Sequence, residues 1–115
     1  MLQSRDDRAG PEPRPIEEGE PAERRLIGRV SAGDLRAFEQ LYRVYHARLT
    51  RFLDRLTRRR SLVEEVLNDT MLVVWNRSDR FDGSSKVSTW IFAIAYRKAL
   101  KALQRPRQPA PASAA

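Results

Sequence analysis

The fold is decided by residues 34–57, DLRAFEQLYRVYHARLTRFLDRLT, in which apolar side chains recur at steps of three and four. This spacing is typical of an amphipathic α-helix with one apolar face. The apolar stripe comprises Leu35, Phe38, Leu41, Tyr42, Tyr45, Leu49, Phe52, Leu53 and Leu56. Asp34 can accept a hydrogen bond from a free backbone N–H of the first turn, as an N-cap does. The stretch therefore predicts a long helix that begins after Asp34.

A second helix is predicted from Ser61 to about Trp75 or Asn76. Ser61 and Glu64 have the spacing of a capping box. The apolar residues of this segment cover more than one face of a helix: Leu62, Val63, Val66, Leu67, Thr70, Met71, Leu72, Val73, Val74 and Trp75. One face must pack on the long helix, and the remaining apolar surface indicates a second contact, either internal or with a partner.

Two further helices complete the predicted fold. A short helix covers Glu23 to Val30, and a final helix covers Thr89 to Arg105, with Ser88 as its cap and Pro106 as its end. Between the second and the final helix, residues 76–87 contain Asp-Gly and Ser-Ser pairs that are typical of a break. The expected fold is all-α, a compact bundle of three principal helices plus a short N-terminal helix.

The two ends of the chain differ from its middle in composition. Residues 1–22 combine four prolines with charges of both signs, which predicts a disordered arm. Residues 106–115 repeat Pro and Ala, as a linker or an artificial chain end would. The folded domain is therefore predicted to span residues 23–105, with flexible N- and C-terminal arms.

Several functional classes find no support in the composition. The chain has no cysteine, and the lone His46 cannot build a metal site, so no metal is expected. Glu64, Glu65 and Asp69 are acids in a helix without other catalytic groups, so neither an enzyme nor a cofactor is expected. No apolar run has the length of a membrane span, and no signal peptide is visible, so we expect a cytoplasmic protein without membrane insertion.

The charge of the chain is concentrated outside its first residues. The net charge is +7, yet residues 1–25 hold five basic and seven acidic side chains, which leaves +9 for the remainder. Arg97, Lys101 and Arg105 lie four residues apart in the final helix, Lys98 is adjacent, and no acid follows Lys86. Like charges at this spacing repel one another. The row indicates either an anionic partner, such as nucleic acid, or a solvated face.

Aromatic side chains accompany the basic row. Trp90 is seven residues before Arg97 and shares its face, Tyr96 is adjacent to Arg97, and Phe81 precedes the glycine-containing loop. Aromatic stacking combined with cationic side chains is how proteins hold single-stranded nucleic acid. The combination favours an unpaired strand over a closed duplex, although Trp90 could equally be a core residue.

Three stretches resemble one family, the bacterial extracytoplasmic-function (ECF) sigma factors of RNA polymerase. LIGRVSAGDLRAFEQLYRVYHARLTRFLDRLT at 26–57 is similar to the opening of these factors. SLVEEVLNDTMLVVW at 61–75 resembles the helix by which they bind the polymerase, and RFDGSSKVSTWIFAIAYRKALKALQR at 80–105 resembles their promoter-recognition loop and helix. The resemblance implies sigma-factor domain 2, which binds core RNA polymerase and recognises and melts the promoter −10 element.

The resemblance assigns a polymerase contact to the second helix. This helix would dock on the coiled coil of the beta-prime subunit, with Asp69 paired to a polymerase arginine. Asn68 and Asp69 replace a Gln-Glu pair that is usual in the family, and both are one methylene shorter. Val73 stands where a basic residue is common. The implied polymerase-binding residues are Glu65, Asn68, Asp69, Leu72, Val73 and Trp75.

The resemblance assigns the non-template strand of the −10 element to the loop and the final helix. A base flipped out of that strand would enter the loop, at an unstacking cost of about a few kcal/mol. Arg97 stands where asparagine is frequent, which favours a phosphate contact. The implied DNA-binding residues are Phe81, Asp82, Gly83, Ser84, Ser85, Lys86, Ser88, Trp90, Tyr96, Arg97, Lys98, Lys101 and Arg105.

Two other functions and one further partner stay open at this point. The chain could be a stand-alone helix-turn-helix DNA-binding module, or an interaction module that binds polymerase or an anti-sigma factor without reading DNA. ECF factors are commonly held inactive by an anti-sigma protein, which is therefore a possible partner. They normally continue into a second domain that reads the −35 element, so a chain that stops at Ala115 is expected to be a dissected fragment or a natural single-domain relative.

Overall fold

The structure, a computed structural model, describes residues 19–106. This part contains four α-helices and one 3₁₀ turn: α1 Glu20–Ser31, α2 Leu35–Thr57, α3 Arg60–Arg77, the turn Ser78–Arg80 and α4 Val87–Gln104. No strand occurs within these residues. The prediction of an all-α bundle with three principal helices and a shorter leading helix is thus confirmed. Most of the predicted arm over 1–22 and of the linker over 106–115 lies outside the described residues.

The long helix α2 is the centre of the bundle and packs against α1, α3 and α4. Its stripe supplies four fully buried side chains, Leu41, Tyr45, Leu49 and Leu53. Burial of each such side chain contributes about 1.5–3 kcal/mol to folding. The predicted stripe is wrong at Leu35, which is 57% exposed because it is the first residue of the helix, before the buried face begins at Ala37.

Asp34 is the N-cap of α2, as predicted. Its carboxylate accepts a hydrogen bond from the Ala37 N–H at 3.2 Å and another from Arg29 Nε at 3.0 Å. The hydrogen bond from the Ala37 backbone, followed by that from Arg29, holds the pKa of Asp34 below its ordinary value. The turn between α1 and α2 is therefore closed by one side chain that serves both helices.

The predicted capping box of Ser61 and Glu64 is wrong. α3 begins at Arg60 with Arg59 as its N-cap, so Ser61 lies inside the first turn, where its hydroxyl cannot act as the cap. The sequence between α2 and α3 is only Arg58-Arg59, and Arg58 has a left-handed φ of +57°. The Thr57 hydroxyl accepts a hydrogen bond from the Arg59 N–H at 3.2 Å and donates to Leu53 O at 2.9 Å. This tight turn, rather than a serine cap, starts α3.

The predicted start of α4 is also wrong. The helix begins at Val87 rather than Thr89, and Ser88 does not cap it. Instead, the Val87 N–H donates to the Glu20 carboxylate at 3.0 and 3.1 Å. Glu20 opens α1, which begins three residues before the predicted Glu23 because Pro21 is favourable in a first helical turn. Residues assigned to the arm therefore belong to the folded unit.

A buried polar pair joins α1 to α2. The Tyr45 hydroxyl donates to Glu23 Oε1 at 2.6 Å, and both residues are almost fully buried. Arg48 lies 3.6 Å from Glu23 Oε2, and its guanidinium covers the Tyr45 ring at 4.7 Å from the centroid. The carboxylate therefore has both a hydrogen-bond donor and a cation inside the bundle, which offsets the cost of burying it.

Candidate functional site

The exposed face of α3 collects most of the predicted polymerase contacts. Glu65, Asn68, Asp69 and Leu72 are all exposed and share one side of the helix, as a turn of about 100° per residue requires. The opposite side is buried through Leu62, Val63, Val66, Leu67, Thr70, Met71 and Val74. Leu72 is 57% exposed in the middle of the polar set. A large apolar side chain flanked by a carboxylate and an amide is a suitable contact for a protein partner.

Val73 and Trp75 lie at opposite edges of this face, and both are half-buried. The Trp75 ring packs edge-on against Phe38 of α2, with centroids 5.2 Å apart. Val73 packs against the hydrophobic core. These two side chains contribute partly to the core, so only part of each is accessible to a partner.

The exposed face of α3 continues onto α2, which the sequence did not indicate. The Tyr42 hydroxyl donates to Asn68 Oδ1 at 3.2 Å. Beside this bond lies a groove of about 340 Å³, whose lining includes His46 and Asp54 of α2 and Glu64 of α3. His46 packs against the Tyr42 ring, with centroids 5.8 Å apart. Tyr42 belongs to the apolar stripe of α2, so periodicity predicted a core residue and could not predict its hydrogen bond to Asn68.

The loop of residues 81–86 separates the 3₁₀ turn from α4, and it is built around one aromatic pair. Phe81 packs against Trp90, with ring centroids 5.5 Å apart, and both residues are half-buried. Trp90 is therefore neither a pure core residue nor a free platform. Asp82 accepts a hydrogen bond from the Ser84 N–H at 2.9 Å, and this bond is the main reason why the pKa of Asp82 is lowered. Gly83 between them has a left-handed φ of +83°.

The basic row of α4 is exposed at Arg97 and Lys101, one turn apart on the side of Trp90, while Lys98 is half-buried. Tyr96 is 46% exposed but lies on another side of the helix, near Leu100. Arg105 follows the last residue of α4 and forms an ion pair of 2.7 Å with Glu65. One residue predicted for DNA is thus bound to one predicted for the polymerase, so the two surfaces meet at this end of the bundle.

Two residues of α1, Arg24 and Glu20, reach the loop and the start of α4, and sequence analysis assigned them no role. Arg24 donates hydrogen bonds to Gly83 O at 3.2 Å and to Ser85 O at 3.0 Å, and it pairs with Glu20 at 2.7 Å. Ser85 and Lys86 then lead directly into α4. In the sequence, Glu20 and Arg24 have only the four-residue spacing of an ion pair within a helix. No local signal could have predicted that Arg24 contacts a loop about sixty residues away.

A family model for sigma-70 region 2 matches residues 41–108, more than half of the chain. The chain belongs to this family. The matched range contains α3, the loop, α4 and most of α2, and with them every predicted site residue. α1 lies outside it. The recognition of a sigma-factor domain 2 from sequence is therefore confirmed, and the relatives described next support its ECF class.

Two relatives of this sigma-70 region 2 chain are ECF sigma factors. It is 35% identical to the ECF RNA polymerase sigma factor RpoE of Cereibacter sphaeroides, over 68% of the chain and 44% of the relative. It is 36% identical to the ECF RNA polymerase sigma factor SigM of Mycobacterium tuberculosis, over 71% of the chain and 42% of the relative. The chain thus spans less than half the length of these relatives. No solved structure matches it significantly.

The relatives are named as sigma factors and none is named as an enzyme, in agreement with the prediction of a non-enzymatic chain. Across residues 19–106, no cluster of His, Cys, Asp and Glu side chains could hold a metal ion. Among the helices of the same range, none is both long enough and apolar enough to cross a membrane.

Proposed function

We propose that this sigma-70 region 2 domain acts in transcription initiation, in the cytoplasm, by binding core RNA polymerase and by recognising and melting the promoter −10 element. The observation that carries the proposal is the exposed face of α3. There the exposed Leu72 is flanked by Asn68 and Asp69, while the opposite side of the helix is buried. A helix that leaves a leucine this exposed beside a carboxylate fits a partner with an apolar contact and a cation. The beta-prime coiled coil is that partner, and Asp69 binds one of its arginines.

The second half of the proposal concerns the melted strand. Arg97 and Lys101 are exposed on the side of α4 that carries Trp90, and Trp90 packs against Phe81 at the start of the loop. A cationic row that leads to a half-exposed aromatic pair fits the non-template strand, with phosphates on the cations and unpaired bases at the loop. A helix-turn-helix fits less well, because residues 78–86 separate α3 from α4 and such turns have about three or four residues. An anti-sigma partner would act by covering either surface.

The polymerase contact is tested by titrating the full chain against core RNA polymerase. Asp69→Arg reverses the charge at the centre of the exposed face of α3, and we expect it to weaken binding by at least about tenfold, the loss expected for one charge-assisted hydrogen bond. The matched control is Asp79→Arg, an equal charge change at another exposed position, in the 3₁₀ turn. Equal affinities of the two variants, both folded by circular dichroism, would contradict the docking face.

The strand contact is tested with the double variant Lys98→Glu and Lys101→Glu in promoter-dependent transcription. We expect transcription to fall strongly, because like charges would then oppose the phosphates. Arg51→Glu with Arg55→Glu is the matched control, since these two exposed arginines of α2 are also one turn apart and undergo the same charge change. Normal transcription by the lysine variant would favour the interaction module that does not read DNA.

A further inference from the structure

The loop of residues 81–86 is held from outside by α1. The Nη2 atom of Arg24 donates to two loop carbonyls, Gly83 O at 3.2 Å and Ser85 O at 3.0 Å. The Nε atom of the same side chain donates to Glu20 Oε2 at 2.7 Å, which fixes the guanidinium plane. A planar guanidinium with several fixed donors can hold two carbonyls at once, whereas a lysine offers one point charge.

Glu20 extends this attachment to the start of α4. Its two carboxylate oxygens accept the Val87 N–H, at 3.1 and 3.0 Å. The N-cap residue Lys86 provides no side-chain cap, so an acid from another helix fills this role. A carboxylate at a helix N-terminus is also favourable with the helix dipole. One ion pair therefore fixes both the loop backbone and the first turn of the helix that follows it. We call Glu20, Arg24 and the backbone groups of Gly83, Ser85 and Val87 that they bind the α1 clasp.

The α1 clasp also touches the aromatic pair. The Arg24 guanidinium lies over the Phe81 ring, 5.5 Å from its centroid, and Phe81 in turn packs against Trp90. Arg24, Phe81 and Gly83 line a groove of about 390 Å³ between α1 and the loop. At Gly83 the approach is close, because a Cβ placed there would lie 3.0 Å from Arg24 Nη1. The position of Arg24 is therefore coupled to both the backbone and the aromatic side chains of the loop.

We propose that Arg24 and Glu20 are positioning residues, which set the conformation of the loop and through it the base preference of the domain. The part about base preference rests on the proposed function, in which this loop receives an unpaired base. The family match begins at residue 41, after α1 has ended at Ser31. Glu20 and Arg24 therefore lie outside the matched part of the chain, whereas the backbone groups that they bind lie inside it. Because the Arg24 side chain is 43% exposed, its removal should leave the bundle folded and affect mainly the loop.

The conformation of the loop is tested first, by amide hydrogen exchange on the full chain. In Arg24→Ala and in Glu20→Ala we expect the Val87 N–H to exchange about tenfold faster, the factor for one hydrogen bond of ordinary strength, while buried amides of α2 are unchanged. Arg29→Ala is the matched control, since it removes an exposed ion pair of 3.0 Å from the same helix at a residue whose partner is Asp34. Unchanged Val87 exchange in both clasp variants would overturn the clasp.

Base preference is tested on the complex of the full chain with core RNA polymerase. A pool of single-stranded oligonucleotides with randomised central positions is selected on the complex, and the bound fraction is sequenced. We expect Arg24→Ala to lower the preference for the best base severalfold, with polymerase affinity unchanged, and Arg29→Ala to keep the wild-type preference. Arg24→Lys should behave like Arg24→Ala, because holding the loop requires hydrogen bonds to two carbonyls at once and not only a positive charge.

The two proposals fail in different ways. A wild-type complex that shows no base preference would contradict the proposed function, and with it the role of the α1 clasp in base choice, while hydrogen exchange would still decide whether the clasp holds the loop. A wild-type complex with a clear preference that Arg24→Ala leaves intact would overturn the inference and leave the proposed function standing. If Arg24→Lys keeps the base preference while Arg24→Ala loses it, the positive charge of residue 24 is what matters. Arg24 would then make a direct charge contact with the strand, which also overturns the positioning role.

Discussion

Two glutamates one turn apart attach α1 to the rest of the domain in opposite ways. The Glu23 side chain is 5% exposed and meets Tyr45 and Arg48 inside the bundle, whereas the Glu20 side chain is 26% exposed and meets Arg24 and the start of α4 at the surface. A buried hydrogen bond to a charged group is strong and its loss is costly, while an exposed ion pair contributes little to stability. One helix thus has a contact that maintains the fold and another that maintains the shape of a loop.

The largest effect is expected where the buried attachment is broken. Tyr45→Phe removes the donor to Glu23 Oε1 and leaves the carboxylate with Arg48 at 3.6 Å. We expect the free energy of unfolding to fall by about 2 kcal/mol, the range for a hydrogen bond to a charged group. Tyr42→Phe is the matched control, because it removes a bond to the exposed Asn68 and should cost no more than about 0.5 kcal/mol. Urea unfolding measures both, and equal losses would contradict the contrast.

Alkaline pH should weaken the same attachment. Burial, followed by the hydrogen bond to Glu23 and its charge, raises the pKa of Tyr45 far above its ordinary value. The native state therefore keeps a proton that the unfolded chain releases above about pH 10, so stability is full below that pH and falls as the pH rises. At about pH 11 we expect the free energy of unfolding of the wild type to be about 1.4 kcal/mol lower than at neutral pH because of Tyr45. Tyr45→Phe should not show this loss. Because lysines titrate in both proteins, the measurement is the difference in the free energy of unfolding between the wild type and Tyr45→Phe. If this difference stayed the same from pH 8 to 11, Tyr45 would not be a buried, protonated tyrosine.

The comparison of the two glutamates also shows what sequence could predict. Periodicity located the long helix and its buried tyrosine, because a stripe depends on spacing alone. The residues predicted for the polymerase do share one face of α3, since that too follows from the turn of one helix. The clasp could not be predicted, because Arg24 meets Gly83 and Ser85 through the packing of helices distant in sequence. The serine caps predicted for α3 and α4 were wrong for different reasons: α3 starts from a local tight turn at Thr57 to Arg59, whereas α4 is capped by Glu20, an acid of α1 that is distant in sequence.

Substitution of two glycines gives the next contrast. The free energy of unfolding should change in opposite directions at Gly83 and Gly28, which lie on the two sides of the groove between α1 and the loop. Gly83→Ala forces a left-handed φ of +83° on a residue with a Cβ and places that atom close to Arg24. We therefore expect strain in the loop of the folded state, which lowers the free energy of unfolding by about 1 kcal/mol. Gly28→Ala lies in the middle of α1 with open space around the new Cβ, and should stabilise the fold by about 0.5–1 kcal/mol. Thermal unfolding of the two variants tests the signs, and a stabilising Gly83→Ala would show that the loop does not need this backbone.

The smallest effect on stability is expected at the residue with the clearest effect on the loop. Arg24→Ala removes an ion pair and two exposed hydrogen bonds, yet Arg24 and Glu20 both remain in contact with solvent, so we expect the free energy of unfolding to fall by only about 0.5 kcal/mol. Arg29→Ala should cost about the same, because it also breaks an exposed ion pair. Urea unfolding then cannot distinguish the two variants, while exchange of the Val87 N–H can. If Arg24→Ala instead cost as much as Tyr45→Phe, the surface attachment would belong to the core, and the division of α1 into a stabilising side and a loop-shaping side would be wrong.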